Sequence, residues 1–232
     1  MTRVIQELDL VAGAQAARGL AVVIDVFRAF SVAPYAYARG AARIIPVDDL
    51  AEARRLKAAH PEFLLMGERH ARKLPGFDFG NSPTEIEAAD LAGRTLIHTT
   101  HAGTQGLCGA TGADEVITGS LVNAAAIVRY IRARRPAVVS LVRMGHEARR
   151  RCDEDDLCAE LLHARLEGRD FDTSTIRERL RAAPAAAKFF DPAADWAPER
   201  DFELCTEVDR FDFVLKLQDR GDRLPWLARI AA

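Results

Sequence analysis

Apolar positions along this 232-residue chain follow two alternating rhythms. Short runs rich in β-branched residues read as strands buried on both faces: Leu20 to Ile24 ending on Asp25, Arg43 to Val47, Phe63 to Gly67 ending on Glu68, Arg94 to Thr100, Glu115 to Gly119, and Ala137 to Val142. Between them apolar side chains recur at helical spacing. These segments cover residues 29–39, closed by Gly40; 48–59, with Leu50, Ala53 and Leu56 on one face; 83–91; 104–110; and 120–134, ended by Pro136. Beyond Val142 the pattern turns mostly helical, over about 154–167, 174–182 and 199–209, with Pro184, Pro192 and Pro198 in loops and a last strand at Phe213 to Leu217. Strands alternating with helices predict an α/β fold, a three-layer α/β/α sandwich with a mixed, mainly parallel sheet. One domain over residues 1–232 is expected, its mostly helical C-terminal third (153–232) packed against the sheet.

Composition narrows the function classes. A hydrophobic share of 49% supports a substantial core, and 32 Lys and Arg against 34 Asp and Glu give no global field for nucleic acid or an anionic membrane. Anion recognition must then be local. No apolar run approaches the roughly 18 residues of a spanning helix, and no basic-then-apolar leader opens the chain, so a cytoplasmic protein is expected. Cys108, Cys152, Cys158 and Cys205 form no C-x-x-C pair and read as free thiols.

Candidate chemistry gathers at the strand ends, where open α/β sheets bind ligands. Asp25 and Glu68 end two strands, and Thr99-Thr100-His101-Ala102-Gly103-Thr104 follows another. Oxygen donors suit Mg²⁺, and hydroxyls with main-chain N–H groups suit phosphate oxygens. Arg28 and Ser31 fall about one helical turn apart just after Asp25; the pair Asp25–Arg28 reads equally as a structural ion pair. The loop Pro75-Gly-Phe-Asp78-Phe-Gly-Asn81-Ser82-Pro83 is dense in turn residues and leads into a helix start, with Ser82 as N-cap and Glu85 closing a capping box. Such a start favours an anion. Within it Asp78 either binds metal or holds the loop's shape. Asp153 to Asp156 place four acids in a first helical turn, where they stabilise the helix dipole or hold a metal. His98, inside a strand, reads as a core histidine.

These residues, V-I-D-V-F-R-A-F-S (23–31), G-E-R (67–69), P-G-F-D-F-G-N-S-P (75–83), T-T-H-A-G-T (99–104) and D-E-D-D-L-C-A (153–159), stand in the order and spacing of the 2-phosphosulfolactate phosphatases. The chain resembles that family from about residue 20 onward. The resemblance implies a Mg²⁺-dependent phosphatase that converts 2-phospho-3-sulfolactate to 3-sulfolactate and phosphate, as a homodimer. Carried onto this chain, it implies catalytic roles for Asp25, Arg28 and Glu68. Substrate contacts fall to Ser31, Asn81, Ser82, Thr99, Thr100, His101, Gly103 and Thr104, and metal contacts to Asp25, Glu68, Asp78, Glu154 and Asp155. Three departures bear on the substrate: the family usually carries Asn where His101 stands, a Gly-rich turn at 69–73, and L-R-A-T-S at 27–31. The alternatives are a related phosphatase with another substrate, and an anion-binding module without turnover.

Overall fold

The computed structural model describes residues 3–218 and 224–232. In chain order its elements are β1 (Val4–Asp9), α1 (Leu10–Ala16), β2 (Leu20–Ile24), α2 (Ala29–Ala38), β3 (Arg43–Pro46), α3 (Leu50–Ala59), β4 (Leu64–Arg69), β5 (Arg72–Lys73), α4 (Pro83–Glu87), β6 (Thr95–Thr99), α5 (Gly103–Gly109), β7 (Glu115–Gly119), α6 (Ala124–Arg134), β8 (Val138–Arg143), α7 (Asp153–Leu166), α8 (Ile176–Arg181), α9 (Glu199–Cys205), β9 (Phe213–Gln218) and β10 (Trp226–Ala231). Every strand read from the apolar runs is present. The pattern does not anticipate β1, α1, β5 or β10. β1 lies at a sheet edge and carries Gln6, Glu7 and Asp9, while β5 has two residues, so neither offers a buried apolar run. α4 and α9 are shorter than their segments suggest, ending at Glu87 and Cys205.

All ten strands join one mixed, mainly parallel sheet in the order β1-β8-β2-β7-β9-β10-β3-β6-β4-β5. β1, β8, β2 and β7 form one parallel block, and β3, β6 and β4 another. Between the blocks β9 and β10 pair antiparallel, and each is antiparallel to its outer neighbour. Three reversals leave the two blocks with opposite polarity. Opposite polarity alone would send their carboxyl ends to opposite edges of a flat sheet. Twist prevents this: at about 20–25° per strand, the five steps from β2 to β6 accumulate roughly 100–125°, so the blocks cross rather than oppose.

Alternation along each strand divides the core. Ala21 and Val23 of β2, Ile44 of β3, Leu96 of β6 and Met66 of β4 share one face with α1, α2, α4 and α5. Helix α2 is buried from Ala29 to Tyr37 and lies in this shared face. The Tyr37 hydroxyl donates to the Leu227 carbonyl, fixing α2 to the central strand β10. On the opposite face Leu20, Val22 and Ile24 pack under α6 to α9, and Ile45, Leu65 and Ile97 under α3. The result is helices on both sides of the sheet.

Close packing between β4 and β6 depends on a missing side chain. A Cβ on Gly67 would lie 2.0 Å from the Thr99 carbonyl oxygen. Gly67→Ala is therefore expected to cost on the order of 2–3 kcal/mol, as overpacking at a rigid contact does. A shift in urea midpoint at unchanged slope checks this; an unchanged midpoint would show that the strands can part freely.

Candidate active site

Two strand ends and one helix start deliver four carboxylates. Asp25 follows β2, and its Oδ1 accepts the Ala29 amide at 3.3 Å. The Gly103 amide, at the start of α5, lies against the same carboxylate and favours its charged form. A Cβ at 103 would stand 2.8 Å from Asp25 Oδ2, so this approach requires glycine. Glu68 in β4 is held at both oxygens: His101 N donates to Oε1 and Ala71 N to Oε2, each at 2.7 Å. Asp155, in the first turn of α7, accepts Val26 N and Gly145 N at 2.8 Å each, which ties the ends of β2 and β8 to the helix. Its neighbour Glu154 keeps Oε2 buried with no hydrogen-bond partner among the described residues. All four carboxylates line one pocket of about 50 Å³, with Arg28, Asn81, His101 and Lys188.

Burial makes negative charge costly here. It pushes Asp25 up to about 7 from an ordinary 3.8, with the charges of Glu68 and Glu154 adding to the rise. Asp155 is raised well above its ordinary value by burial and then by Asp25 and Glu154; burial raises Glu154 too. Lys188 is held below the usual lysine value by burial and then by the Arg28 charge. A cation among the carboxylates would oppose their upward shifts and would give Glu154 Oε2 a partner. The donors are all oxygen, which suits Mg²⁺. Among the described residues no three of these carboxylates bring oxygens within 4.8 Å of one another, so an ion takes at most two directly. Mg²⁺ commonly binds through one or two carboxylates and keeps waters elsewhere.

Arg28 forms another wall. Nη1 donates to Asp201 Oδ2 at 2.5 Å and to the Trp196 carbonyl at 3.1 Å, and Nη2 donates to the Ala71 carbonyl at 2.8 Å. A guanidinium has five N–H groups, so two remain without a partner among the described residues. Asp201 is also the anion at the α4 start: Oδ1 accepts Ser82 Oγ at 2.7 Å and Thr84 N at 3.0 Å. Ser82 Oγ caps Glu85 N at 3.2 Å, as its position in the sequence indicates. Glu85 does not close the box on Ser82. Its Oε2 accepts Gly80 N at 2.7 Å, and Oε1 is drawn to Lys73 at 2.8 Å.

The remaining expected residues separate into scaffold and pocket. Ser31 Oγ donates to the Val26 carbonyl at 2.8 Å and pairs with Ser120 Oγ at 2.7 Å. Thr99 Oγ1 accepts Arg69 Nη2 at 3.0 Å. Thr100 and Thr104 each accept the other's amide, at 3.1 and 3.0 Å, and so shape the turn into α5. These four hydroxyls are buried and do not line the pocket. Asn81 does, and its Oδ1 accepts His98 Nε2 at 3.0 Å, leaving the Asn81 amide hydrogens for the pocket. Burial pushes His98 down to about 3, so it is a neutral core histidine. Asp78 stands apart. It accepts Leu65 N at 2.8 Å, three residues before Glu68 along β4, or about 10 Å; it holds the loop's shape and lies outside the carboxylate cluster. Cys152 lines the pocket, with its thiol kept protonated by burial and then by Asp155.

A family model described as 2-phosphosulpholactate phosphatase matches residues 7–220. The chain belongs to the 2-phosphosulfolactate phosphatase family. A probable 2-phosphosulfolactate phosphatase of Bacillus subtilis (strain 168) is 31% identical to it over 212 residues, covering 90% of this chain and 91% of its own length. Another from Caldanaerobacter subterraneus subsp. tengcongensis is 34% identical over 212 residues, covering 85% and 87%. A third, from Thermoplasma acidophilum, is 34% identical over 193 residues, covering 83% of each chain. The 2-phosphosulfolactate phosphatases are phosphoric monoester hydrolases, and this chain is one by membership. No described helix is long and apolar enough to cross a membrane.

Several residues around this phosphatase pocket escape a reading of the sequence alone. Lys188 lies next to last in an Ala-rich 3-10 stretch, Pro184–Phe189, that carries no motif. Asp201 sits in the first turn of α9 beside Glu199, where no motif marks it. His146 and Glu147 follow β8 in a loop whose basic run draws the eye elsewhere. The one available signal is position: the segment after a strand's carboxyl end.

Proposed function

We propose that the protein is a Mg²⁺-dependent phosphatase of a small, multiply anionic phosphoester, 2-phospho-3-sulfolactate, yielding 3-sulfolactate and phosphate. The observation that carries this reading is the convergence of Asp25, Glu68, Glu154 and Asp155 on a pocket that also holds Arg28 and Lys188. The names of the relatives supply the substrate. One or two of Glu68, Glu154 and Asp155 would hold the ion directly and the rest through its waters; the ion would neutralise charge and polarise the phosphoryl oxygens. The free N–H groups of Arg28 and the Asn81 amide donate to the phosphoryl oxygens, and the Lys188 charge favours the anion. Asp25, at the end of β2 in the same pocket, would take a proton from the attacking water. As the water oxygen bonds to phosphorus, the phosphorus–ester oxygen bond breaks and releases the alcohol oxygen, which takes up a proton.

The test is phosphate release from 2-phospho-3-sulfolactate and from other sulfonated or carboxylated phosphoesters, with Mg²⁺ and with EDTA. Release that needs Mg²⁺ and is greatest with the sulfonated ester is expected. Release undiminished by EDTA overturns the metal role, and binding without turnover of any ester overturns the enzymatic one.

The carboxylates also link metal binding to pH. Asp25's folded pKa of about 7 exceeds its ordinary 3.8, so folding takes up a proton between those values. That stabilisation is complete below 3.8 and disappears as pH rises through about 7. His98, lowered to about 3, moves stability the other way over an overlapping range. The Mg²⁺-induced rise in Tm at each pH therefore isolates the carboxylates, and it is expected to grow from acid to mildly alkaline pH. A rise independent of pH would place the ion elsewhere.

A further inference from the structure

A second donor set stands at the pocket rim, chemically unlike the carboxylate cluster. His70 follows β4, His101 follows β6, and Glu147 lies between β8 and α7. One donor atom from each lies within 4.8 Å of the other two, the only such group among the described residues. His70 Nδ1 is 2.6 Å from Glu147 Oε1, and the His70 and His101 rings meet edge to face with centroids 5.0 Å apart. His101 Nδ1 is buried and has no hydrogen-bond partner among the described residues. Both short loops hold consecutive residues in the left-handed region, His70 and Ala71 at φ 54 and 61, Glu147 and Ala148 both at 54. Such values are uncommon outside glycine, and here they bring the two loops' side chains together.

We propose that His70, His101 and Glu147 form a binding site for a divalent transition metal of the Zn²⁺ class, separate from the all-oxygen site for Mg²⁺. Imidazole nitrogens suit Zn²⁺, Co²⁺ and Ni²⁺, whereas Mg²⁺ prefers oxygen. Tetrahedral Zn²⁺ with bonds of about 2.0–2.2 Å sets its ligand atoms roughly 3.3–3.5 Å apart. The His70–Glu147 contact is already shorter than that, and the His70 side chain is 70% exposed and free to turn about the ion. The contact with His70 holds Glu147 below the usual glutamate range, so it is an anionic ligand at neutral pH. Two imidazoles and one carboxylate leave a fourth position open, as in zinc sites that accept a water or an anionic oxygen. His101 and Glu147 line the carboxylate pocket, and His70 and Glu147 line the cleft beside it. An ion there stands at the junction of the two.

The test titrates Co²⁺ into the metal-stripped protein with Mg²⁺ in excess, reading the visible absorption of low-coordinate Co²⁺. One equivalent of Co²⁺ is expected to give the band, and Zn²⁺ to displace it. His70→Ala and Glu147→Gln should each weaken Co²⁺ binding by more than about tenfold, since even outer-shell losses at metal sites cost 10–100-fold. Asp25→Asn should leave the band in place, which separates this site from the carboxylate cluster. No band, a band of unchanged affinity in both rim variants, or a band lost in Asp25→Asn overturns the assignment. His70 is a surface side chain, so its variant is expected to fold; circular dichroism of both variants checks it.

Discussion

Asp25→Asn is expected to lower kcat/KM by about 10²–10⁴-fold, the range for a residue that moves a proton in the transition state. The same change should leave the metal-free protein at least as stable as the wild type above pH 7. The two effects have one origin. Asp25 is buried among Glu68, Glu154 and Asp155, and the charge its chemistry requires is the charge its surroundings oppose. Asparagine keeps the shape and an acceptor for the Ala29 amide but removes the repelled charge. Steady-state kinetics and urea melts with EDTA test both halves. Wild-type turnover removes Asp25 from the reaction, and a loss of several kcal/mol in stability makes it a scaffold residue instead.

The second large effect is expected at a residue outside the pocket. Asp201 is fully buried and accepts three donors: Arg28 Nη1 at 2.5 Å, Ser82 Oγ at 2.7 Å and Thr84 N at 3.0 Å. Asp201→Ala leaves the Arg28 guanidinium buried beside Phe189 and Trp196 without its counter-ion. Breaking one side of a buried pair costs about 3–5 kcal/mol. The α4 start and the Asn81 segment lose their anchor in the same step. Arg28→Met combined with Asp201→Ala should cost clearly less than the sum of the single changes, because the charge left unpaired in each single variant is then gone. Additive costs, or a loss below 1 kcal/mol for Asp201→Ala alone, would falsify the anchoring role.

What the sequence reveals follows from the range of the forces involved. The buried strands are legible because period-two burial on both faces leaves continuous runs such as Leu20 to Ile24. The Ser82 cap is legible because its partner is three residues away. That Asp25, Glu68, Glu154 and Asp155 belong together is suggested by strand ends and acids in a first turn. Ser31, Thr100 and Thr104 look like phosphate contacts in the sequence, and in the fold neighbouring backbone and hydroxyl groups partner each of them, which no local pattern records. The loop at 75–83 reads as anion-seeking. Its anion is the chain's own Asp201, 119 residues beyond Ser82, at a separation no local pattern records. The His70–Glu147 contact, 77 residues apart, is hidden for the same reason.

The position of β9 and β10 in the middle of the sheet has a consequence for how the molecule is made. Phe213–Gln218 and Trp226–Ala231, which follow every strand of both blocks in the sequence, supply the strands that join the two blocks. Until they are in place, β7 and β3 each present an unpaired strand edge, the feature that promotes intermolecular pairing. Both carboxylate-bearing blocks can be complete as half-sheets while the pocket between them does not yet exist. Assembly of the pocket is therefore a late, non-local event during synthesis, and a polypeptide stopped short of Phe213 carries all of the pocket's carboxylates but lacks the strands that join the two half-sheets.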